Sequence, residues 1–450
     1  MKKLDWRVVF QSSVITVFSL STLLLITNWS CFEPAQRAEK AKVREPESPC
    51  DRSKEKDDET VTFNDVPQGP VKSDPVLSGP SETDEEAESG TEKPPKPKAG
   101  QLTAGRWSDV ANWDFWTNLF GQGSDDKKPH KWSTWEKRWK FFTRRRFGVR
   151  VTRADGKPAV DAKVVMQDKH GNPVWTARTD NRGRAELFDG LFGESSEGPF
   201  KIVASSGHHQ RVEARSNPPA DGRVDIQLPS STEPPRALDL MMVIDTTGSM
   251  SDEFRYIKSE LGDVVERSQK YFGGELSIRT SVNLYRDEGD EYVVKTNPFR
   301  SEVAKAVADV DAEDSGGGGN YPEAVDQALA RSINEHQWRD RATARLLFLV
   351  LDAPPHQQDE VIGKLHESIE AAAQKGVRII PVASSGVNKS TEYVLRSFAI
   401  STGGTYTFLT DDSGIGGSHI EPTIGQHDVH YLNDLLVTVI HDYTKPVAQN

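Results

Sequence analysis

The sequence predicts an α/β fold: a doubly wound, mostly parallel sheet, preceded by a separate small β-sandwich and a disordered amino-terminal stalk. Three observations carry this. Beyond Arg236, nearly continuous apolar runs ("LDLMMVI", "LSIRTSVNLY", "RLLFLVL", "VRIIPVA") alternate with amphipathic stretches, as parallel strands covered on both faces do. Between Gly148 and Leu228 the apolar period drops to two. Ahead of both, the chain is rich in Pro, Glu, Lys and Ser, with too little apolar surface to offset chain entropy.

Composition sets outer bounds. The 450 residues suffice for two or three domains, and with 35% hydrophobic residues, 34 Gly and 26 Pro, part of the chain is not expected to pack. A net charge of −12 excludes a general nucleic-acid binder, which needs a basic face to displace counterions. The two cysteines, Cys31 and Cys50, precede every expected folded domain, so neither a disulfide framework nor a cysteine metal site is expected.

Residues 1–32 open with "MKKLDWR" and continue as an apolar run from Val8 to Trp29, roughly the 20 residues a membrane span needs. Lys2, Lys3 and Arg7 would hold the start in the cytoplasm. Asn28 and Trp29 stand where a signal-peptide cleavage site would need small residues, so a retained single-pass anchor is expected, facing the periplasm or cell exterior; cleavage would instead give a secreted protein. The same "NWS" lacks the small residues that lipid attachment at Cys31 favours. Residues 33–105 are the expected stalk.

In residues 106–146, Trp113, Trp116 and Phe120, and again Trp132, Trp135 and Trp139, recur at helical spacing and predict two short amphipathic helices. Six of the ten tryptophans lie in this region. With "KFFTRRRF" behind them they admit two readings, a membrane-surface or nucleic-acid contact and a cover for one face of the next domain. Residues 147–230 carry seven short alternating segments, "GVRVT", "AKVVMQ", "PVWTART", "GRAELF", "FKIVAS", "QRVEA" and "RVDIQL", separated by turn signals such as Asp155-Gly156 and Asn181-Arg182-Gly183. They fit a small β-sandwich. His208 and His209 adjoin and would point to opposite faces of a strand, which is not a metal-binding arrangement.

Residues 236–445 hold the α/β pattern. "DEYVVKTNPF" follows "LSIRTSVNLY" as the other arm of an edge hairpin. Phe254, Ile257, Leu261 and Val264 mark one helix, Val361, Leu365, Ile369 and Ala372 another, and "YLNDLLVTVI" a last one; Pro322 is expected in the first turn of a third. In such sheets ligands gather outside the carboxyl ends of the strands, near the switch in strand order. Asp245 and Asp352 end two of the strands, and Thr247 and Ser249 follow Asp245 in the loop to the next helix. Two carboxylates and two hydroxyls suit a hard cation, Mg²⁺ first with Ca²⁺ or Mn²⁺ as alternatives, and leave positions for water or a partner's oxygen. The competing reading of "DTTGSM" is a helix cap, which accounts for Thr247 or Ser251 but not for Asp352. Asp287 is a candidate acid reaching this edge behind the ligands and equally a solvated turn residue; His356 reads as a loop hydrogen-bonder.

Enzyme motifs are not met. "DTTG" carries an inserted residue relative to the aspartic-protease Asp-Thr-Gly and has no second copy; "TTGSM" is not a Gly-x-Ser-x-Gly elbow; "GGGGNYPEA" has no following Gly-Lys-Ser/Thr.

Two resemblances rest on these residues. "DGKPAVDAKVVMQDKHGNPVWTARTDNRGRAELF" resembles the carboxypeptidase regulatory-like and bacterial immunoglobulin-like domains over Phe147 to Pro229, implying a spacer or accessory module without chemistry. Asp245, Thr247 and Ser249 match the Asp-x-Ser/Thr-x-Ser of the metal-ion-dependent adhesion site of the von Willebrand factor type A domain. Asp352 matches the Asp ending that family's later strand, and the resemblance, to a Rossmann-like fold, covers Arg236 to Thr444. "YRDEGDEYVV", "GGGGNYPEAV" and "LVLDAPPH" look like a bacterial branch. The family's loop threonine is missing before Pro322, where Asn320 is the residue that could supply a carbonyl oxygen. The resemblance implies no catalysis but metal-dependent adhesion to a protein or other envelope ligand, through an acidic group on the partner. The alternatives are a structural subunit of an envelope complex with a vestigial metal site, and a metal-assisted hydrolase.

Overall fold

The computed structural model describes residues 97–121, 131–215, 217, 223–272 and 274–446. The expected anchor, both cysteines and the stalk up to residue 96 lie outside the described residues. Among the described residues no helix is long and apolar enough to cross a membrane.

The elements in chain order are β1 (Thr103–Trp107), α1 (Trp113–Asn118), α2 (Lys131–Trp139), β2 (Arg146–Thr152), β3 (Lys163–Gln167), β4 (Pro173–Arg178), β5 (Arg184–Phe188), β6 (Phe200–Ser206), β7 (His209–Arg215) and β8 (Arg223–Gln227). They continue with β9 (Ala237–Asp245), α3 (Ser251–Phe272), β10 (Ser277–Tyr285), β11 (Val294–Lys295), α4 (Val303–Asp311), α5 (Val325–Ala330), β12 (Ala344–Leu351), α6 (Asp359–Lys375), β13 (Val377–Ala383), α7 (Lys389–Thr402), β14 (Tyr406–Leu409), β15 (His430–Tyr431) and α8 (Leu432–Thr444).

The large sheet runs β11-β10-β9-β12-β13-β14-β1-β15. Strands β10, β9, β12, β13 and β14 are mutually parallel, while β11, β1 and β15 pair antiparallel at its two ends. Its central strands are buried along their whole length, which is why they read as unbroken apolar runs. Their side chains divide by period two: Leu240, Met242 and Ile244 face the layer of α3, α4 and α8, whereas Met241 and Val243 face the layer containing α5, α6 and α7. Chain order reverses between β9 and β12, so the carboxyl ends of these neighbours form the switch point.

The seven alternating segments become β2 to β8, in a three-stranded sheet β5-β2-β8 and a four-stranded sheet β4-β3-β6-β7. The two pack face to face, Phe147 against Phe200 at 5.5 Å and Trp175 against Phe188 at 5.5 Å. They share a continuous apolar core with the α5–α7 layer. Asp161, held at a φ of 57°, fixes the junction. Its carboxylate accepts from Arg178 Nε at 2.6 Å and from Arg345 Nη1 of β12 at 2.9 Å.

The tryptophan helices cover the α/β domain itself. Trp116 stacks on Tyr393 of α7 at 5.7 Å, Trp139 Nε1 donates to the Ser390 carbonyl at 3.1 Å, and Arg396 lies over the rings of Trp116 and Trp132. Arg396 is fully buried and gives two hydrogen bonds to Asp109 at 2.9 and 2.6 Å. The expected end of the stalk, Gly105, falls inside β1. A Cβ there would lie 2.5 Å from Phe408, so only glycine lets β1 lie this close to β14. Glu260 of α3 secures the approach by accepting from the backbone N–H groups of Gly100, Gln101 and Leu102 at 2.8, 2.8 and 3.0 Å. Pro322 precedes α5 instead of opening it, because Glu323 N–H pairs with the Pro354 carbonyl at 2.9 Å.

His366 of α6 is wedged at the sandwich junction, stacked on Phe192 at 4.1 Å and edge-on to Phe141, with Nε2 donating to the Trp139 carbonyl at 3.2 Å. Burial pushes its pKa down to about 4, the Trp139 carbonyl opposing and Lys140 adding to the shift. The unfolded chain therefore takes up a proton near pH 6.5 that the folded protein refuses until about pH 4, so this group's contribution is lost as pH falls through that window. Urea midpoints at pH 7.5 and pH 5 should drop more in the wild type than in His366→Phe; equal drops would refute this assignment.

Candidate metal site at the switch point

Asp245 is the last residue of β9 and is fully buried. Its Oδ1 accepts from Thr247 N at 2.9 Å and Thr247 Oγ1 at 2.7 Å, and Thr247 Oγ1 lies 3.1 Å from Ser249 Oγ. The loop then tightens into a short turn at Gly248–Met250 and enters α3. Asp352 follows β12, buried to 4% exposure, and accepts from the Ser249 hydroxyl. Asp245, Thr247, Ser249 and Asp352 thus stand together at the switch point. The outer oxygens Asp245 Oδ2 and Asp352 Oδ1 are buried without a hydrogen-bond partner.

Burial and then the charge of Asp352 raise Asp245 to about 7. Burial raises Asp352 to about 6, with Glu253 and Asp252 pushing the same way against the Ser249 hydrogen bond. Tyr285, whose buried hydroxyl also lacks a well-formed hydrogen bond, is pushed well above its usual range by burial and by Asp245, Asp352 and Glu323.

Three loops close around this edge. Gly316 N donates to Thr246 O at 2.9 Å and Gly248 N to Gly317 O at 3.2 Å, stitching the glycine loop to the Asp245 loop. Asp290 receives Asp287 N at 3.0 Å and Gly318 N at 2.8 Å, and Asp287 Oδ1 meets His356 Nε2 at 2.8 Å. Asp287 and the loop histidine His356 are therefore partners. Asn320 is exposed, with its amide nitrogen 3.5 Å from the Pro322 carbonyl. Glu323, three residues on, is the buried group of this loop at 2% exposure, with Oε2 unpartnered. Sequence reading passed over it; the available signal was a carboxylate directly after the proline of a loop aimed at the metal edge.

The fit to a divalent cation rests on the orphaned carboxylate oxygens and on the hard-oxygen donor set, Asp245 and Asp352 with the hydroxyls of Thr247 and Ser249. Among the described residues no three His, Cys, Asp or Glu side chains converge closely enough to hold an ion by themselves, so the hydroxyls are necessary to such a site.

The fold and this edge define a doubly wound α/β domain with an acidic switch point at the carboxyl ends of β9 and β12. Residues 239–417 match the von Willebrand factor type A domain, and the mostly parallel central sheet fits that domain. Domains of this family commonly bind a divalent metal and mediate protein–protein interactions, and are typically interaction modules rather than enzymes. No curated protein matches the chain.

The glycine loop's position depends on Gly317, which has a φ of 76° and where a Cβ would fall 2.5 Å from the Asp290 carboxyl. Gly317→Ala should cost about 1–2 kcal/mol of stability and weaken divalent-ion binding by displacing the loop. Unchanged ion affinity, measured by calorimetry, would show that the loop does not shape the site.

Proposed function

We propose that this protein is a metal-dependent protein-binding component of the cell envelope, acting through a divalent cation, Mg²⁺ first, held by Asp245, Thr247, Ser249 and Asp352. The observation that supports it most is the pair of buried, unpartnered oxygens, Asp245 Oδ2 and Asp352 Oδ1, at the switch point, where the Thr247 hydroxyl is bound to the other oxygen of Asp245 and lies beside Ser249 Oγ. Leaving buried charge unanswered is costly, and a cation answers it. Four protein oxygens leave about two positions of an octahedral ion to water or to an oxygen of the partner. Placement in the envelope rests on the apolar run from Val8 to Trp29 behind its basic start. Retention in membranes through a high-salt wash is expected, and release as a soluble protein would refute the anchor.

Mg²⁺ at a hundredfold excess over its dissociation constant should stabilise the full chain by about 2.7 kcal/mol, seen as a raised melting temperature that chelator reverses. Asp245→Ala should keep the fold and lose the increment. A melting response to Mg²⁺ that is the same in this variant would sink the site.

A further inference from the structure

Glu323 is the one acid of the glycine loop that is buried, at 2% exposure, and its Oε2 has no partner. Its backbone is locked beside the end of β12, with N–H to Pro354 O at 2.9 Å and a bridge to Pro355, two and three residues past Asp352. Its side chain approaches the other ligand loop as well. A methyl-sized atom added at Gly318 would lie 3.4 Å from both Glu323 Oε1 and Thr247 Cβ, so these two flank the same small space. Burial first, and then the carboxylates it faces, Asp245, Asp287, Asp352 and Asp290 in that order, push its pKa up to about 9, so at neutral pH it keeps its proton until a cation beside it makes it a carboxylate. The nearby cationic or ionisable bases are engaged elsewhere, Arg286 with Glu313 and the Asp314 carbonyl, His356 with Asp287, and His419 with Glu253 and Asp411.

We infer that Glu323 is the third anionic group of the cation site, in the place where the family's loop threonine would stand, and that it sets which partner group the ion accepts. This rests on the metal-site reading above and deepens it. Exposed Asn320 cannot play this part, because its side chain turns along its own loop. Direct coordination is not required. Mg²⁺ retains several of its waters, and a carboxylate accepting from a bound water contributes its charge almost as fully. The consequence is electrostatic. Two aspartates and a divalent ion sum to zero, whereas three carboxylates leave the loaded site at −1. A carboxylate arriving from a partner would then be repelled in a poorly screened setting, and the group favoured at the open position is a neutral oxygen: a main-chain carbonyl, a carboxamide or a hydroxyl. This replaces the acidic partner that the family resemblance implies.

The test uses the full chain and Mn²⁺ alone, whose free and bound forms electron paramagnetic resonance distinguishes. Glu323→Gln keeps size and shape and should melt in chelator no lower than the wild type, yet bind Mn²⁺ at least about tenfold more weakly, as expected for removing one charge near a divalent ion. Asp245→Ala should abolish binding. Acetate, added to the Mn²⁺-loaded proteins, should displace bound water in Glu323→Gln at concentrations that leave the wild type unchanged, read by water-proton relaxation. Undiminished affinity in Glu323→Gln while Asp245→Ala loses the ion overturns the role of Glu323 and leaves the site standing. Equal acetate binding in wild type and Glu323→Gln overturns the partner assignment. Undiminished binding in Asp245→Ala overturns the site and, with it, this inference.

Discussion

The switch-point edge is organised by a charge imbalance: Asp245 and Asp352 are buried there, and among the described residues no Lys, Arg or His is paired with either. Several buried carboxylates elsewhere in the fold are met by cations or backbone donors. Asp161 has Arg178 and Arg345, Asp239 has Arg279 and Arg339, Asp109 and Glu392 have Arg396, and Glu260 has three backbone N–H groups. At the end of β9 and β12, Asp245 and Asp352 have only hydroxyls and backbone N–H groups as donors, and each keeps an oxygen without a partner. The same chain that builds guanidinium clamps at its structural junctions omits them here. Protonation relieves the strain in part, which is why these acids sit above the usual carboxylate range. A divalent ion would relieve it further and add a coordination sphere to be shared with another molecule.

A binding edge needs fixed geometry, and the surrounding loops supply it from the backbone. The glycine loop is tied to the Asp245 loop through main-chain bonds and to the β10–β11 turn through Asp290. Its glycines serve this directly: with φ of 76° and 72°, Gly317 and Gly318 take backbone conformations that side chains disfavour. Behind the edge, the sheet is buttressed on one face by α3 and α8 and on the other by α5–α7 and the sandwich. The Asp161–Arg345 pair holds that second face to β12, the strand that carries Asp352. Packing thus reaches the site through the strands themselves.

Much of this was legible in the sequence because burial leaves a periodic trace. The four apolar runs became β9, β10, β12 and β13, and the helix faces read at Phe254 and Leu365 are buried in α3 and α6. What escaped lacks that trace. Helix α7 is buried on every side and carries Glu392, Arg396, Ser397, Ser401 and Thr402, so it shows no apolar stripe. Its hydroxyls disappear into the helix by bonding carbonyls four residues back, as Ser401 Oγ does to Ser397 O at 2.7 Å, and its charged pair is satisfied by Asp109 and its own turn. Strand β1, "TAGRW", is small and polar and follows a Pro- and Lys-rich run, so local composition points away from a sheet. At the site, spacing identified residues on one loop and one strand end, but the third loop could be scored only against a missing threonine. The burial of Glu323 is set by its pairing beside Pro355, a contact between segments about 30 residues apart that no local pattern encodes.

These non-local pieces decide what the working unit is. The matched span 239–417 contains the switch-point edge but omits β1, β15 and α8. α8 contributes Leu432, Leu435, Leu436 and Ile440 to the core beneath β9, and β1 lies between β14 and β15 with Leu102 and Ala104 fully buried beside it. A chain begun at Arg236 would lose β1, expose the edge of β14 and the apolar surface of α8, and strip α7 of the tryptophan helices and Asp109 that cover and neutralise Arg396. The segment that precedes the α/β domain in sequence is therefore part of that domain in space. Because residues 100–102 are bound to Glu260 on α3, the helix that leaves the Asp245 loop, the chain entering from the amino-terminal side is joined to the element that begins at the switch-point edge.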